Sequence, residues 1–304
     1  MPPTFWMISN REKKDGSLGR DQGPLSFWVS DGGELDKLKS WTERKESDFR
    51  KLLTGAANRF PLITDPQRHE AQKHVTLFIH GYNNDWKDAV RTYERICTNL
   101  FAGAEGLGLC VLFTWPSDGL YLGYYPDRID ARKSAPDLAQ VLNAFYDWLI
   151  EKQTAAVENA KSACRAKTSI IAHSMGNFLL QKAMQVTWTR KNQPLLVTLV
   201  NQLLMVGADV DNDLFDDREG KDNTDGAAIA NLTYRVTALY TGRDPVLGVS
   251  AGLKHFGNRR LGRSGLSRDV PHPDNVWAAD CSKLIPPDAQ NIPSAYFISP
   301  LVIK

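Results

Sequence analysis

The sequence predicts a doubly wound α/β protein, with a mostly parallel central sheet flanked by helices. Three observations carry that prediction. Short runs of β-branched and aromatic residues, apolar on both faces, recur as the central strands of a covered parallel sheet require. Helical stripes with apolar residues three and four apart fall between them. The 304 residues, 42% apolar and 24% charged, can bury an ample core without metal or disulfide staples. The expectation is one domain over 1–304, with N-terminal edge strands and a surface helix in 1–70 and the core that carries the motifs in 75–304.

Taken in order, Thr4–Ser9 and Pro24–Val29 read as two edge strands, and Asp36–Ala57 as one charged surface helix. His74–Ile79, Leu107–Thr114, Thr168–Ala172, Leu203–Ala208, Arg235–Thr241 and Val276–Cys281 read as the covered strands. Between them Trp86–Phe101 carries Ala89, Val90, Tyr93, Ile96, Cys97 and Leu100 on one stripe. Pro136–Cys164 places its proline in a first helical turn, followed by Leu138, Val141, Leu142, Phe145, Trp148 and Leu149. Gly176–Trp188 is the third helix, with Phe178, Leu179 and Ala183 available to pack. Little chain separates Asp209 from Tyr234, so no large cap domain is expected.

Charge and composition exclude several classes of function. Basic and acidic residues number 37 and 35, a net charge of +2, which gives no reason to expect nucleic acid or an anionic membrane as partner. No apolar run reaches the ~18–20 residues of a membrane-spanning helix, so stable membrane insertion is not expected. Met1 to Arg11 lacks the charged, apolar and small-residue pattern of a secretion signal. Cys97, Cys110, Cys164 and Cys281 form no CxxC pair, compatible with a reduced, cytoplasmic setting.

In a doubly wound sheet the chemistry sits at the rim where the strands end. Ala172-His-Ser-Met-Gly176 lies there, joining a strand to a helix as a nucleophile elbow requires. Such a turn exposes the Ser174 hydroxyl, and the helix after it aims N–H groups at the site. The plainer alternative is a serine that only caps a helix. The small residues Ala172 and Gly176, two positions to either side, favour the nucleophile. His80-Gly-Tyr-Asn83 closes an earlier strand at the same rim, where the Tyr82 N–H would join that of Met175 as an oxyanion hole. His80 is expected to brace this loop rather than to move protons.

These motifs resemble the alpha/beta-hydrolase superfamily, esterase/lipase branch, and within it bacterial hydrolases of uncharacterised function. The residues that carry the resemblance are Phe78-Ile-His-Gly-Tyr-Asn83, Phe113-Thr-Trp-Pro116, Asp127 to Ser134, Ile171-Ala-His-Ser-Met-Gly176 and Arg243-Asp-Pro-Val-Leu247. The resemblance implies the alpha/beta-hydrolase fold and a serine hydrolase of carboxylic esters, with Ser174 as nucleophile and no cofactor. The implied substrate is a small-molecule ester or lipid-like compound, and a protein partner is left open. Chain order in the superfamily is serine, acid, histidine. Asp209 and Asp244 both end strands after Ser174. The resemblance favours Asp244, with Asp209 as the alternative acid.

The triad histidine is missing. His69, His74 and His272 precede strands and so lie at the wrong rim; His173 neighbours Ser174 on the turn; His255 is a faint substitute. The resemblance places the triad histidine shortly before a Ser-Tyr or Tyr-Phe pair. Here that stretch reads Asn291-Ile-Pro-Ser-Ala-Tyr-Phe297, which leaves Ser294 or Ala295 in its slot. Loss of the base leaves only ~10³–10⁴-fold acceleration from the oxyanion hole and binding. Two explanations stand: an inactivated form of an active enzyme, or a natural pseudo-hydrolase that binds a ligand or protein. The otherwise whole machinery favours the first.

Three further stretches bear on the substrate. Trp115, Tyr121, Tyr124 and Tyr125 could wall an acyl pocket or pack down as core. Asp209, Asp211 and Asp213 could hold a metal in a weaker, metal-assisted reading, though the run lacks the glycine and glutamate of a calcium loop. Lys254 to Arg268, with Arg259, Arg260, Arg263 and Arg268, reads as a solvated basic face or a docking site for phosphate or protein.

Overall fold

The computed structural model describes residues 4–63, 65–117, 124–158, 165–191, 198–219, 224–254, 257–286, 288–289 and 292–303. Among the described residues nine strands form one sheet: β1 (Phe5–Lys14), β2 (Ser17–Ser30), β3 (Thr42–Arg44), β4 (His74–Ile79), β5 (Gly108–Thr114), β6 (Lys167–His173), β7 (Val200–Val206), β8 (Thr233–Tyr240) and β9 (Val276–Asp280). Their spatial order is β3-β2-β1-β5-β4-β6-β7-β8-β9. Only the β1–β2 and β2–β3 pairs are antiparallel; the six pairs from β1–β5 to β8–β9 are parallel. The six parallel strands from β4 to β9 therefore stand where the apolar runs predicted them, but β9 is not covered: it ends the sheet with one neighbour, and four of its five residues are exposed.

Two apolar cores sit on the opposite faces of this sheet, as the two-residue alternation of strand side chains requires. Trp6, Ile8, Leu77, Ile79, Val111, Phe113 and Ile170 face one core, closed by α1 (Glu46–Ala57), α3 (Tyr124–Glu158), α4 (Gly176–Lys191) and α5 (Thr224–Leu232). Met7, Trp28, Phe78, Leu112, Ile171 and Val206 face the other, closed by α2 (Trp86–Ile96) and the C-terminal residues Cys281, Ile285, Tyr296 and Phe297.

The N-terminal expectations need correction. β1 and β2 are not two edge strands but a long hairpin through Asp15 and Gly16, whose φ angles are 49° and 70°. An Asp-Gly pair adopts positive φ at both positions readily, and this signal stands openly in Lys14-Asp-Gly-Ser17. The edge is β3, and it lies within the stretch expected to be one helix. Only a single 3-10 turn forms at Leu38–Ser40, flanked by extended backbone at Lys37 and Trp41, and the buried Trp41 indole donates to the Leu35 carbonyl at 2.8 Å. Thr42 to Arg44 then pair with Val29 to Phe27, and only Glu46–Ala57 is helical.

α3 also begins earlier than expected and passes through Pro136. The buried series Ala131, Ala135, Leu138, Leu142 continues N-terminally past the proline, and packing on the sheet outweighs the lost N–H bond. α2 ends at Ile96, with a single π-type turn over Cys97–Phe101 completing the expected helix. Between β7 and β8, the described residues hold a loop and the short α5, without a cap.

Candidate active site

All parallel strands end at one rim, and there the backbone of the Ala172–Gly176 turn is sharply bent. Ser174 has a φ of 50°, a left-handed conformation that costs a non-glycine residue of order 1–3 kcal/mol. Its surroundings hold it there. The Ser174 N–H donates to the Val206 carbonyl at 2.9 Å, and its own carbonyl accepts from Asn177 N–H at 3.1 Å and Asp209 N–H at 3.2 Å. Asn177, fully buried at the head of α4, adds a side-chain bond to the Ala172 carbonyl at 2.8 Å.

Glycine is required on both sides of the serine. A Cβ on Gly176 would meet the His80 carbonyl oxygen at 2.5 Å, and one on Gly81 would meet the Ser174 Cβ at 2.8 Å. The loop after β4 is thus pressed against the serine turn, which brings the Tyr82 and Met175 segments together. Met175 N–H makes no hydrogen bond to a described residue, and neither does the Ser174 hydroxyl.

A dense polar lattice shapes that loop. Asn83, at a φ of 59°, donates its N–H to the buried Asp127 carboxylate at 3.0 Å. Asp127 also accepts the Ser117 hydroxyl, and Asn84 closes back on the Tyr82 carbonyl at 2.7 Å. The guanidinium of Arg11, 1% exposed on β1, reaches Thr114 Oγ1 and the Asn84 carbonyl at 2.9 Å each. Nothing local marks this role, since Arg11 sits about seventy residues from the loop it braces.

His80 is buried against this lattice and stacks on Trp115 with ring centroids 5.3 Å apart. Its Nδ1 bonds to the Gly81 carbonyl at 2.8 Å, and its Nε2 accepts the Trp115 N–H at 3.2 Å. Burial, reinforced by the Arg11 cation, pushes its pKa down to about 3. The imidazole is a neutral brace. Trp115 and Tyr124 are likewise core residues, Tyr125 is exposed, and Tyr121 lies outside the described residues.

The two candidate acids stand in different environments. Asp209, 2% exposed, accepts Tyr124 OH at 2.8 Å, Ser250 Oγ at 3.0 Å and Arg260 Nε at 2.9 Å. Arg260 is itself fully buried and also binds Asp211 and the Asp209 carbonyl. This carboxylate is consumed by structure, with its backbone clamped to Ser174. Asp244, also 2% exposed, caps the short α6 (Pro245–Val249) and accepts the Leu247 N–H at 3.0 Å on Oδ1. Burial raises its pKa against the opposing pull of the Leu247 and Val246 N–H groups and Arg263. Of the two, Asp244 is the carboxylate with the smaller set of protein partners.

The slot assigned to the missing histidine falls on α8 (Ile292–Ala295), after the four-residue α7 (Leu261–Ser264). Ala295 is buried at 1% exposure and Ser294 is half-buried. The following residue, Tyr296, had no role in the sequence reading, yet its ring edge faces Gly207 and its buried hydroxyl has no hydrogen-bond partner among the described residues. Burial, then the Asp244 charge, pushes its pKa up, so the phenol is neutral and cannot serve as a base. His173 packs edge-on against Phe297 at 5.3 Å. His74 lies at the opposite rim, His272 is exposed before β9, and His255 lies outside the described residues.

The aspartate run and the basic run turn out to be partners. Residues 259–262 lie along 208–212, with Leu261 N–H on Val210 and Gly262 N–H on Ala208, each at 2.9 Å. Arg260 is spent on Asp209 and Asp211, and Arg263 on the Asp244 carbonyl. Residues 259–262 are thus a strap in which Arg260 and Arg263 face inward, while Arg259 and Arg268 remain exposed. Among the described residues no cluster of three His, Cys, Asp or Glu side chains could hold a metal ion.

A parallel sheet of this order with a strained serine at the turn after β6 defines an alpha/beta hydrolase. The chain belongs to the family described as alpha/beta hydrolase of unknown function (DUF900), which it matches over residues 60–275. It is 26% identical over 200 residues to the uncharacterized protein alr1448 of Nostoc sp. (strain PCC 7120), covering 54% of this chain and 48% of that protein. The chain thus spans about half the length of the curated relative it matches. Two solved structures are similar at low identity. A putative hydrolase from Agrobacterium vitis S4 is 11% identical, with 73% of this chain and 82% of that one covered and a TM-score of 0.29. The RedJ thioesterase of the prodiginine pathway in Streptomyces coelicolor is 16% identical, with 72% and 82% covered and a TM-score of 0.28. No described helix is long and apolar enough to cross a membrane.

Proposed function

We propose that this hydrolase carries an acyl-transfer site for a carboxylic ester, with Ser174 as the nucleophile. The observation that supports it most is the left-handed Ser174 turn at the end of β6, packed so closely against Gly81 that a Cβ there would meet the Ser174 Cβ at 2.8 Å. Ser174 Oγ would attack the ester carbonyl, and the Tyr82 and Met175 N–H groups would receive the oxyanion. Asp244 would orient an imidazole that this chain lacks, fixing its tautomer and stabilising its charged form. The substrate is a small or accessible ester, since no cap stands over the described rim.

Without the base, the serine hydroxyl stays protonated and weakly nucleophilic. The Ser174 hydroxyl, which bonds to no described residue, and the buried Ala295 also support a second reading, a pseudo-hydrolase that binds a ligand or a protein without cleaving. Turnover of short- and long-chain nitrophenyl esters separates the two. Ser294→His or Ala295→His is expected to raise the rate by about 10²–10⁴-fold, the usual contribution of a positioned acid–base group. Ser174→Ala should abolish the gain. If neither histidine variant gains activity while both remain folded, the acyl-hydrolase reading fails and the binding reading stands.

A further inference from the structure

The sheet ends on two edges that are built differently. β3 is three residues long, entirely exposed, and charged at Glu43 and Arg44, with Glu43 paired to Lys13. Short and charged edges are how proteins discourage strand addition. β9, Val276-Trp-Ala-Ala-Asp280, has no charge before its last residue, and Trp277 is 59% exposed.

Hydrogen bonding shows which groups of β9 are open. Val236 N–H donates to the Asn275 carbonyl, and Cys281 N–H donates to the Tyr240 carbonyl. With Val236 opposite Val276 and Tyr240 opposite Asp280 in parallel register, the groups of 275, 277, 279 and 281 face β8. Those of Val276, Ala278 and Asp280 face outward. Val276 N–H is occupied by the Pro273 carbonyl, which leaves both Ala278 groups, the Asp280 N–H and the Val276 carbonyl directed at the free edge.

We propose that β9 pairs antiparallel with β9 of a second copy of this chain, across a two-fold axis at Ala278. The open groups match that register. Ala278 of each copy exchanges both bonds with Ala278 of the other, and each Asp280 N–H reaches the opposite Val276 carbonyl. Trp277 then lies opposite the small Ala279 on the same face, in the closer, non-hydrogen-bonded type of pair. Asp280 faces Val276, so no like charges meet. Four inter-strand hydrogen bonds form across the axis, two at the Ala278 pair and one from each Asp280 N–H, and Trp277 meets the small Ala279, so the edge complements itself as an isologous interface demands. The result is one continuous sheet through two molecules, with both serine sites remote from the axis at the strand ends. The inference does not depend on the chemistry of Ser174.

Sedimentation of the purified chain tests it, with substitutions at Ala278 as the decisive arm. The chain is expected to sediment at twice its own mass. Ala278→Pro removes only an outward N–H, so it should leave the fold intact and give a monomer. Ala278→Glu and Ala278→Lys each place like charges opposite one another and should each be monomeric. Mixing those two variants should restore the dimer, which a misfolded variant could not do. A wild-type monomer at high micromolar concentration overturns the proposal. So does a dimer that survives Ala278→Glu and Ala278→Pro unchanged.

Discussion

His80 makes the stability of this protein depend on acidity. Its folded pKa, about 3, lies below the ordinary 6.5, so the unfolded chain binds the proton more readily. Its contribution is complete above about pH 6.5 and is lost as pH falls toward 3, at up to about 1.4 kcal/mol per pH unit. His74, lowered to about 4 by burial and by Lys167, acts in the same direction. Urea midpoints should therefore fall between about pH 7 and pH 5, and a flat profile would contradict the buried, neutral assignment. Gly81 makes a second residue-scale prediction. Gly81→Ala sets a methyl 2.8 Å from the Ser174 Cβ, and the strained turn leaves no room to yield. A loss of about 1–3 kcal/mol is expected in melting or urea experiments, as for other overpacked sites. Ser174, Gly81 and Gly176 were legible from sequence because the elbow's steric needs are local. The bracing contacts of Arg11 and of Asp127 with Asn83 were not, because those partners are distant in the chain.

The strap of residues 259–262 ties β7 to the loop after β8, and Arg260 is its anchor. Arg260→Met removes a fully buried cation and leaves Asp209 buried without its main counter-charge. Breaking a buried pair in this way costs about 3–5 kcal/mol, while an exposed pair such as Lys37–Glu34 contributes little. Urea unfolding should show that loss, and Asp209→Asn in the same chain should restore part of it. Equal stability of Arg260→Met and the wild type would remove the strap from the account. The hairpin of β1 and β2 teaches a different lesson. Its Asp15-Gly16 turn was present in the sequence, but the polar run between Arg11 and Gly23 hid strand residues that face solvent. The extended helix α3 escaped for the opposite reason: a proline marks a helix start often enough to mask a buried stripe that crosses it.

Across the whole molecule, stability should grade outward from β4. That strand is paired on both sides and buried on both faces, while β9 has one neighbour and four exposed residues. Hydrogen exchange should be slowest at Leu77, Phe78 and Ile79 and faster toward β3 and β9. If copies pair through β9, the Ala278 and Asp280 amides depart from that gradient and become protected. Fast exchange at both positions in a sample that sediments as a dimer would place the contact elsewhere.

The sequence by itself determined the parallel strands, their alternation with helices and the serine turn. Each of these is written in local spacing: apolar runs of strand length, three- and four-residue stripes, small residues beside a bend. Only the tertiary structure decided that Asp209 is spent on Arg260, that a buried Arg11 braces the loop after β4, and that the Tyr296 hydroxyl is buried beside Gly207. Those assignments depend on which distant groups are desolvated together, and burial is a property of the assembled sheet rather than of any stretch of chain.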